Sequence, residues 1–239
     1  PVVDMVEIGA GGGSITHVDK LERITVGPQS AGASPGPACY NKGGEDATVT
    51  DANLVLGRLS AKDFAGGSIS LDLEASKKAI KSTLALEKNN DCRSTAGDII
   101  EVVNENMASA ARVHAVEKGI DVTNRSMIAF GGGAPLHALS VANKLGISRV
   151  IIPLDASVGS AVGFLLAPVA FEVVRSLFTS ADNFDPEAIN RMFSNMANEA
   201  SETVRLAAVS NPILETRHAY IRYSGQGHEI KVSLPNRPL

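Results

Sequence analysis

The sequence predicts an α/β fold in which a mixed sheet is flanked by helices. Three observations carry this reading. The apolar run Ser126–Phe130, a helical pattern from Leu136 to Leu145 and a second apolar run Arg149–Ile152 follow one another as strand, helix, strand. A βαβ unit of that kind implies a parallel strand pair with a crossover helix. Thr95 to Gly119 keeps the helical period through Ile99, Ile100, Val103, Met107, Ala110, Ala111, Val113 and Val116, with Gly119 as a stop. Two glycine runs, Gly9–Gly13 and Gly131–Gly133, sit directly after strand-like segments.

Taken in order, Val2–Ile8 reads as a strand, Ile15–Val18 as a second and Arg23–Val26 as a third. Residues 27–47 are rich in Gly, Pro, Ser and Ala, and are too long for a simple connection, so a functional loop is expected there. Thr50–Gly57 reads as a short helix ending on glycine. Asp72–Leu86 is a helix with Lys77, Lys78 and Lys81 on its exposed face, and Asn89–Ser94 is a polar turn. Thr95 and Asp98 suggest a variant capping box for the long helix. Ser160–Ala167 is a small apolar helix, Asp185–Ser210 an amphipathic one. Leu214–Tyr223 and Glu229–Leu234 read as an antiparallel pair. Three parts are expected within one domain: residues 1–94, 95–167 and 168–239.

Composition narrows the class. The chain has 239 residues with 44% hydrophobic content, enough for one large or two modest cores. A net charge of −4 argues against nucleic acid or an anionic membrane as partner. No apolar run approaches a membrane span, and no signal-peptide pattern opens the chain. Cys39 and Cys92 are the two cysteines, without metal-like spacing, which favours a reducing cytoplasm. The chain starts without Met inside a strand-like run and is read as a piece of a longer polypeptide.

Four constellations can carry chemistry. In Glu7-Ile8-Gly9-Ala10-Gly11-Gly12-Gly13-Ser14 a strand ends in an acid, then a glycine turn, then a serine. Such a turn can aim several N–H groups at a phosphate oxygen, and the acid can hold a metal-bound water or act as a base. A tight hairpin is the plain alternative, but four glycines in five positions exceed what a hairpin requires. Phe130-Gly131-Gly132-Gly133-Ala134-Pro135 joins a strand to a helix N-terminus, the general geometry for holding a nucleotide. It matches neither a dinucleotide fingerprint nor a Gly-Lys-Ser/Thr phosphate loop. His137, just after it, is a candidate for the substrate side, with a structural or surface histidine the preferred reading. Cys39 within Pro35–Tyr40 is open as a nucleophile but favoured as a packed thiol. Asp51 and Asn53 either line a site or serve only the start of a helix. The segment Arg222–Glu229 concentrates polar groups at a strand turn, and a structural hairpin is the preferred reading. No histidine pair has metal-ligand spacing, so no direct metal site is expected from protein side chains.

Together the motifs resemble the hydantoinase A/5-oxoprolinase family, which includes N-methylhydantoinase subunits and acetone or acetophenone carboxylase subunits. The matching stretches are EIGAGGGSI at 7–15, VGPQSAGA at 26–33, PGPACY at 35–40, TVTDANLVLG at 48–57, NENMA at 104–108, AFGGGAPLHA at 129–138 and YSGQ at 223–226. The ordered set is specific where single motifs are not. The resemblance implies a ribonuclease-H-like, actin-like ATPase fold with an ATP cleft. It assigns Gly9, Gly11, Gly12, Gly13 and Ser14 to the second phosphate loop. Glu7 stands where that superfamily usually has Asp. Gly131, Gly132, Gly133 and Ala134 fall on the adenosine-binding turn. The helices at 95–119 and 160–167 fall on the connector helices. The first phosphate loop is not in this chain. Relatives often read Gly-Gly-Ala-Gly-Pro-Leu-His-Ala where this chain has Gly132-Gly133-Ala134-Pro135-Leu136-His137-Ala138, and Ile-Arg where it has Ala111-Arg112.

The activity implied is ATP-dependent opening of a cyclic amide of the hydantoin or 5-oxoproline type. Phosphorylation of the amide oxygen would give an imidate phosphate that water attacks, with Mg²⁺ carried by ATP. A B-type subunit is the implied partner. The alternatives are an ATP-dependent ketone carboxylase subunit and a non-catalytic ATP-sensing module.

Overall fold

The computed structural model describes residues 5–83, 91–208 and 210–238. The chain forms two compact units, one reaching to Leu165 and one running from Leu166 onward.

In the first unit, β1 (Ser14–Val18) pairs antiparallel with β2 (Ile24–Ser30), with Thr16 opposite Val26 and Val18 opposite Ile24. The register shifts before Thr16, so that Ser14 faces Ser30. The shift is absorbed around Gly27, whose φ of +73° suits glycine. A Cβ there would stand 2.3 Å from the Gly9 carbonyl oxygen, so glycine is also required by close approach.

The chain then runs through the Pro35–Tyr40 turn to α1 (Val49–Val55). Thr48 caps α1, and Asp51 returns a bond to the Thr48 amide, which completes a capping box. The cap therefore lies two residues before the helix start expected at Thr50. Gly57 follows the helix with φ +75°, as expected of its terminal glycine. Next comes α2 (Leu73–Thr83). The expected extension to Leu86 lies outside the described residues.

The 26-residue α3 (Cys92–Glu117) is the spine of this unit, about 39 Å long at 1.5 Å per residue. It begins earlier than Thr95 because the Asp91 side chain accepts from the Arg93 amide and caps it. Thr95 is instead buried, its hydroxyl donating to the Asp91 carbonyl, so the Thr95–Asp98 box does not form the cap. The N-terminal half of α3 buries Ala96, Ile99, Ile100 and Val103 against Val26, Val49, Ala52, Ala79 and Ile80. The alanines let α1 and α2 approach closely. The C-terminal half buries Ala108 against Val141 and Leu145 of α4 (Ala134–Leu145). Met107 touches both cores.

The expected βαβ unit is present. β3 (Ser126–Ile128) lies parallel to β4 (Arg149–Ile151), with Met127 opposite Val150, and α4 connects them. A short helix, α5 (Gly159–Leu166), follows and buries none of its side chains. Residues 5–8 form no strand, and residues 2–4 of that expected element lie outside the described residues.

The second unit holds α6 (Pro186–Arg205), capped by Asp185, and a hairpin of β5 (Arg217–Ile221) and β6 (Ile230–Leu234). The Arg217 guanidinium sits 5.4 Å from the Phe193 ring centroid and joins hairpin to helix. Parallel and antiparallel pairings are thus both present, as three separate two-stranded ladders among the described residues.

Candidate functional site

The first glycine turn is built by its carbonyls. The Ser14 amide donates to Gly11 O at 3.0 Å, the Ala31 amide to Gly13 O at 2.8 Å, and the Ser14 hydroxyl to Gly9 O at 3.2 Å. Both the amide and the hydroxyl of Thr50 donate to Gly12 O, at 2.8 and 2.9 Å. The Gly11 amide donates to Ser14 Oγ at 2.9 Å. Among the described residues, the amides of Gly12 and Gly13 have no protein acceptor. The carbonyls thus hold the loop while two N–H groups stay available, which is what an anion-binding turn requires.

Packing explains several of the glycines. A Cβ at Gly9 would lie 2.9 Å from Pro28 Cα, at Gly12 2.8 Å from Thr50 Oγ1, and at Gly13 2.8 Å from Ser30 Oγ. Gly11 faces open space. Glu7 is exposed just ahead of the turn.

The second turn is different. Gly131 has φ +94°, and its amide donates to Ala156 O at 2.5 Å. A Cβ at Gly132 or Gly133 would meet nothing within 4 Å. These two glycines are therefore not explained by packing. Beside them lies a cleft of about 410 Å³ lined by Phe130, Pro153, Leu154, Asp155, Gly159, Ser160, Val162 and Gly163. The N-cap of α4 is Gly133, with no side-chain cap and no acid in the first turn, so Ala134 opens an uncapped helix.

The two turns are carried by elements packed on the same helix. β2 and α1 rest on the N-terminal half of α3, and α4 rests on its C-terminal half.

Four further candidates are buried. Cys39 is fully buried, and burial first, then the Asp51 carboxylate, raise its thiol well above the ordinary range. Such a thiol stays protonated and packs against Leu54 and Leu71. Asp51 is also fully buried. It accepts from Ala38 N at 3.3 Å, Cys39 N at 2.8 Å, Thr48 N at 3.0 Å, Thr48 Oγ1 at 2.7 Å and Ser76 Oγ at 2.7 Å. It therefore ties the Pro35–Tyr40 turn, the α1 cap and α2 together, which goes beyond starting a helix. The Asn53 amide donates to Val49 O at 3.1 Å, and its buried Oδ1 has no partner among the described residues. His137 is 4% exposed, with Nδ1 2.8 Å from Asn104 Oδ1. Burial, then the charge of Arg58, lower its pKa from 6.5, so the ring is neutral near pH 7. The Asn104 oxygen then fixes the tautomer with its proton on Nδ1.

Ser76 carries no flag in the sequence, and Thr50 and Asn104 stand out there only as members of the stretches at 48–57 and 104–108. Each is an ordinary polar residue in a helix, and its partner lies 25 or more positions away. Among the described residues no cluster of His, Cys, Asp or Glu could hold a metal ion, and no helix is long and apolar enough to cross a membrane.

Known proteins resemble this chain in sequence and architecture. Caprolactamase subunit alpha of Pseudomonas jessenii is 37% identical over 238 residues, covering 98% of this chain and 34% of its own length. The crystal structure of that ATP-dependent caprolactamase superposes with a TM-score of 0.73 over 97% of the chain. Nucleotide-free acetone carboxylase superposes with a TM-score of 0.72 at 26% identity, over 96% of this chain and 34% of its own. The 5-oxoprolinase of Saccharomyces cerevisiae is 39% identical over 188 residues, 72% of this chain and 14% of its own length. The chain thus spans about a third of the caprolactamase subunit and less of the oxoprolinase. The α/β architecture is that expected of part of an actin-like ATPase fold. A model of the hydantoinase/oxoprolinase family matches residues 1–173, and the chain belongs to that family.

Proposed function

We propose that this chain supplies part of the ATP site of an enzyme that opens a cyclic amide. The observation that carries this reading is the pair of glycine turns set on one helix. Among the described residues, one turn leaves the amides of Gly12 and Gly13 without protein acceptors, and the other leaves Gly132 and Gly133 facing open space. Glycines that packing does not require are explained by a ligand that approaches the backbone.

The residues present fit a nucleotide. Gly9, Gly11, Gly12, Gly13 and Ser14 form the phosphate-facing turn. Gly131, Gly132, Gly133 and Ala134, with the cleft at Phe130 and Asp155, form the nucleoside side. The amides of Gly12 and Gly13 hold negative charge without reorganising, because the loop's carbonyls are already engaged. Glu7 supplies a carboxylate on the phosphate side, suited to a water bound to Mg²⁺ that arrives with ATP. ATP, when bound, would supply the phosphoryl group that, placed on the amide oxygen, activates the amide carbon toward water. The buried Cys39, Asp51, Asn53 and His137 hold the framework and take no part in bond making.

Relatives named for caprolactam and 5-oxoproline support a lactam or hydantoin substrate. The subunit name of the caprolactamase supports a partner chain, which we identify with the B-type subunit. We place the assembly in the cytoplasm. The likeness to acetone carboxylase favours one second reading, an ATP-dependent ketone carboxylase subunit.

The test is ATP turnover by the complete enzyme with its partner. A lactam or hydantoin should stimulate phosphate release without bicarbonate. Stimulation only by a ketone plus bicarbonate would move the assignment to the carboxylase. Gly132→Val should weaken ATP binding at least about tenfold without destabilising the fold, because its side chain enters open space. Unchanged ATP affinity would remove the nucleotide from this turn.

A further inference from the structure

We infer that Asn104 and His137 are positioning residues that set the nucleotide-facing turn 131–133 on the spine helix α3. This inference rests on the ATP reading above.

The turn has little support of its own. Gly132 and Gly133 touch no side chain that a Cβ would meet, and the α4 N-cap has no side-chain hydrogen bond. It is held at one end by the Gly131–Ala156 backbone bond. At the other end it continues directly into the first turn of α4, where His137 is the fourth residue. α4 packs on β4 and Met127 as well, but its main partner is α3.

Four polar contacts hold α4 to α3 besides the apolar packing of Val141 and Leu145. At the far end, Lys144 reaches Glu101 and Glu105 at 2.5 and 2.9 Å, and Arg112 donates to the Lys144 carbonyl at 3.2 Å. Glu101, Glu105 and Arg112 are exposed, so water competes with these contacts. The His137–Asn104 bond is different in kind. Both residues are buried, at 4% and 2% exposure, so water competes little with the bond, and the bond is directional. It sits at the glycine end of α4. A twist of α4 by a fraction of a turn would break it before it broke the apolar contacts, which are non-directional.

Asn104 also lies where the two cores of α3 meet, between Val103 of the first and Ala108 of the second. The first core carries the phosphate-facing turn and the second carries α4. The pair therefore fixes the setting of one turn relative to the helix that carries both.

The experiment uses the complete enzyme and reads ATP affinity, kcat and melting temperature together. His137→Leu removes the donor, and His137→Asn keeps an N–H near the Nδ1 position. Val141→Ala is the control for loss of α3–α4 packing alone. His137→Leu should raise the KM for ATP about tenfold at a melting temperature no lower than that of Val141→Ala. His137→Asn should stay within about threefold of the parent. Asn104→Ala should match His137→Leu, and the double variant should lose little more than either alone. The inference is overturned if Val141→Ala raises the ATP KM as much as His137→Leu does. Equal impairment of His137→Asn and His137→Leu overturns it too. Should His137→Leu fail to fold, Asn104→Ala against Val141→Ala decides by the same criterion. Loss of affinity in Gly132→Val with none in His137→Leu overturns this inference alone. No effect in either overturns the ATP reading with it.

Discussion

Replacing Asp51 by asparagine changes one atom in a fully buried side chain, and the structure fixes what that atom does. Oδ2 accepts from Ala38 N, Thr48 N and Thr48 Oγ1, and Oδ1 accepts from Cys39 N and Ser76 Oγ. An amide nitrogen placed on the Oδ1 side can be accommodated by the Ser76 hydroxyl, which rotates to accept. The Cys39 amide cannot rotate and is stranded. Placed on the Oδ2 side, the nitrogen strands the amides of both Ala38 and Thr48. The better orientation leaves one buried N–H unpaired, at about 1–3 kcal/mol, and weakens the remaining bonds by removing the charge. The expected loss is therefore about 3 kcal/mol, or roughly 6–12 °C in melting temperature for a domain of this size. Asp51→Ala strands all three backbone amides and should lose a large share of a stability of ~5–15 kcal/mol. Thermal unfolding followed by circular dichroism is the assay. An Asp51→Asn chain that melts within about 2 °C of the parent would refute the argument that this carboxylate organises three elements.

Two further outcomes are expected. Cys39 should resist iodoacetamide at pH 8 in the folded chain and react on denaturation, because burial and the Asp51 carboxylate both disfavour the thiolate; modification of native Cys39, read by peptide mass spectrometry, would show an accessible nucleophile instead. Stability should fall with acid through the window below pH 6.5, because the folded pKa of His137 is depressed and the unfolded chain binds the proton more readily. That contribution is fully present above pH 6.5 and changes by at most about 1.4 kcal/mol per pH unit below it. In His137→Asn the slope of unfolding free energy against pH should be shallower, and an unchanged slope would assign the pH dependence elsewhere.

The sequence located most elements because local signals and burial agree in them. The βαβ unit at 126–152, the α1 glycine stop at Gly57 and the hairpin strands near 217 and 230 follow directly from pattern. Boundaries went astray where a polar residue had two possible local partners. Thr95 looks like a cap, but Asp91 takes the Arg93 amide and Thr95 turns its hydroxyl to the Asp91 carbonyl. Thr48 precedes the expected start of α1 because the capping box needs Asp51 at its third position. The apolar run before Glu7 has strand character, yet residues 5–8 find no ladder partner. A strand is a property of a pair, and no pattern within one segment supplies the second member.

The sequence by itself determined the family, the α/β class and the two glycine turns, because glycine at positions that avoid a side chain is legible in one dimension. It could not separate glycines required by packing from glycines left open. Gly9, Gly12 and Gly13 sit against Pro28, Thr50 and Ser30, whereas Gly132 and Gly133 face space. Only the tertiary structure decided the fate of the candidate polar residues. Cys39 and Asp51 are 12 positions apart, and Asn104 and His137 are 33 apart. Whether such groups face a ligand or one another depends on which helix faces meet, and those faces are chosen by the apolar packing around α3.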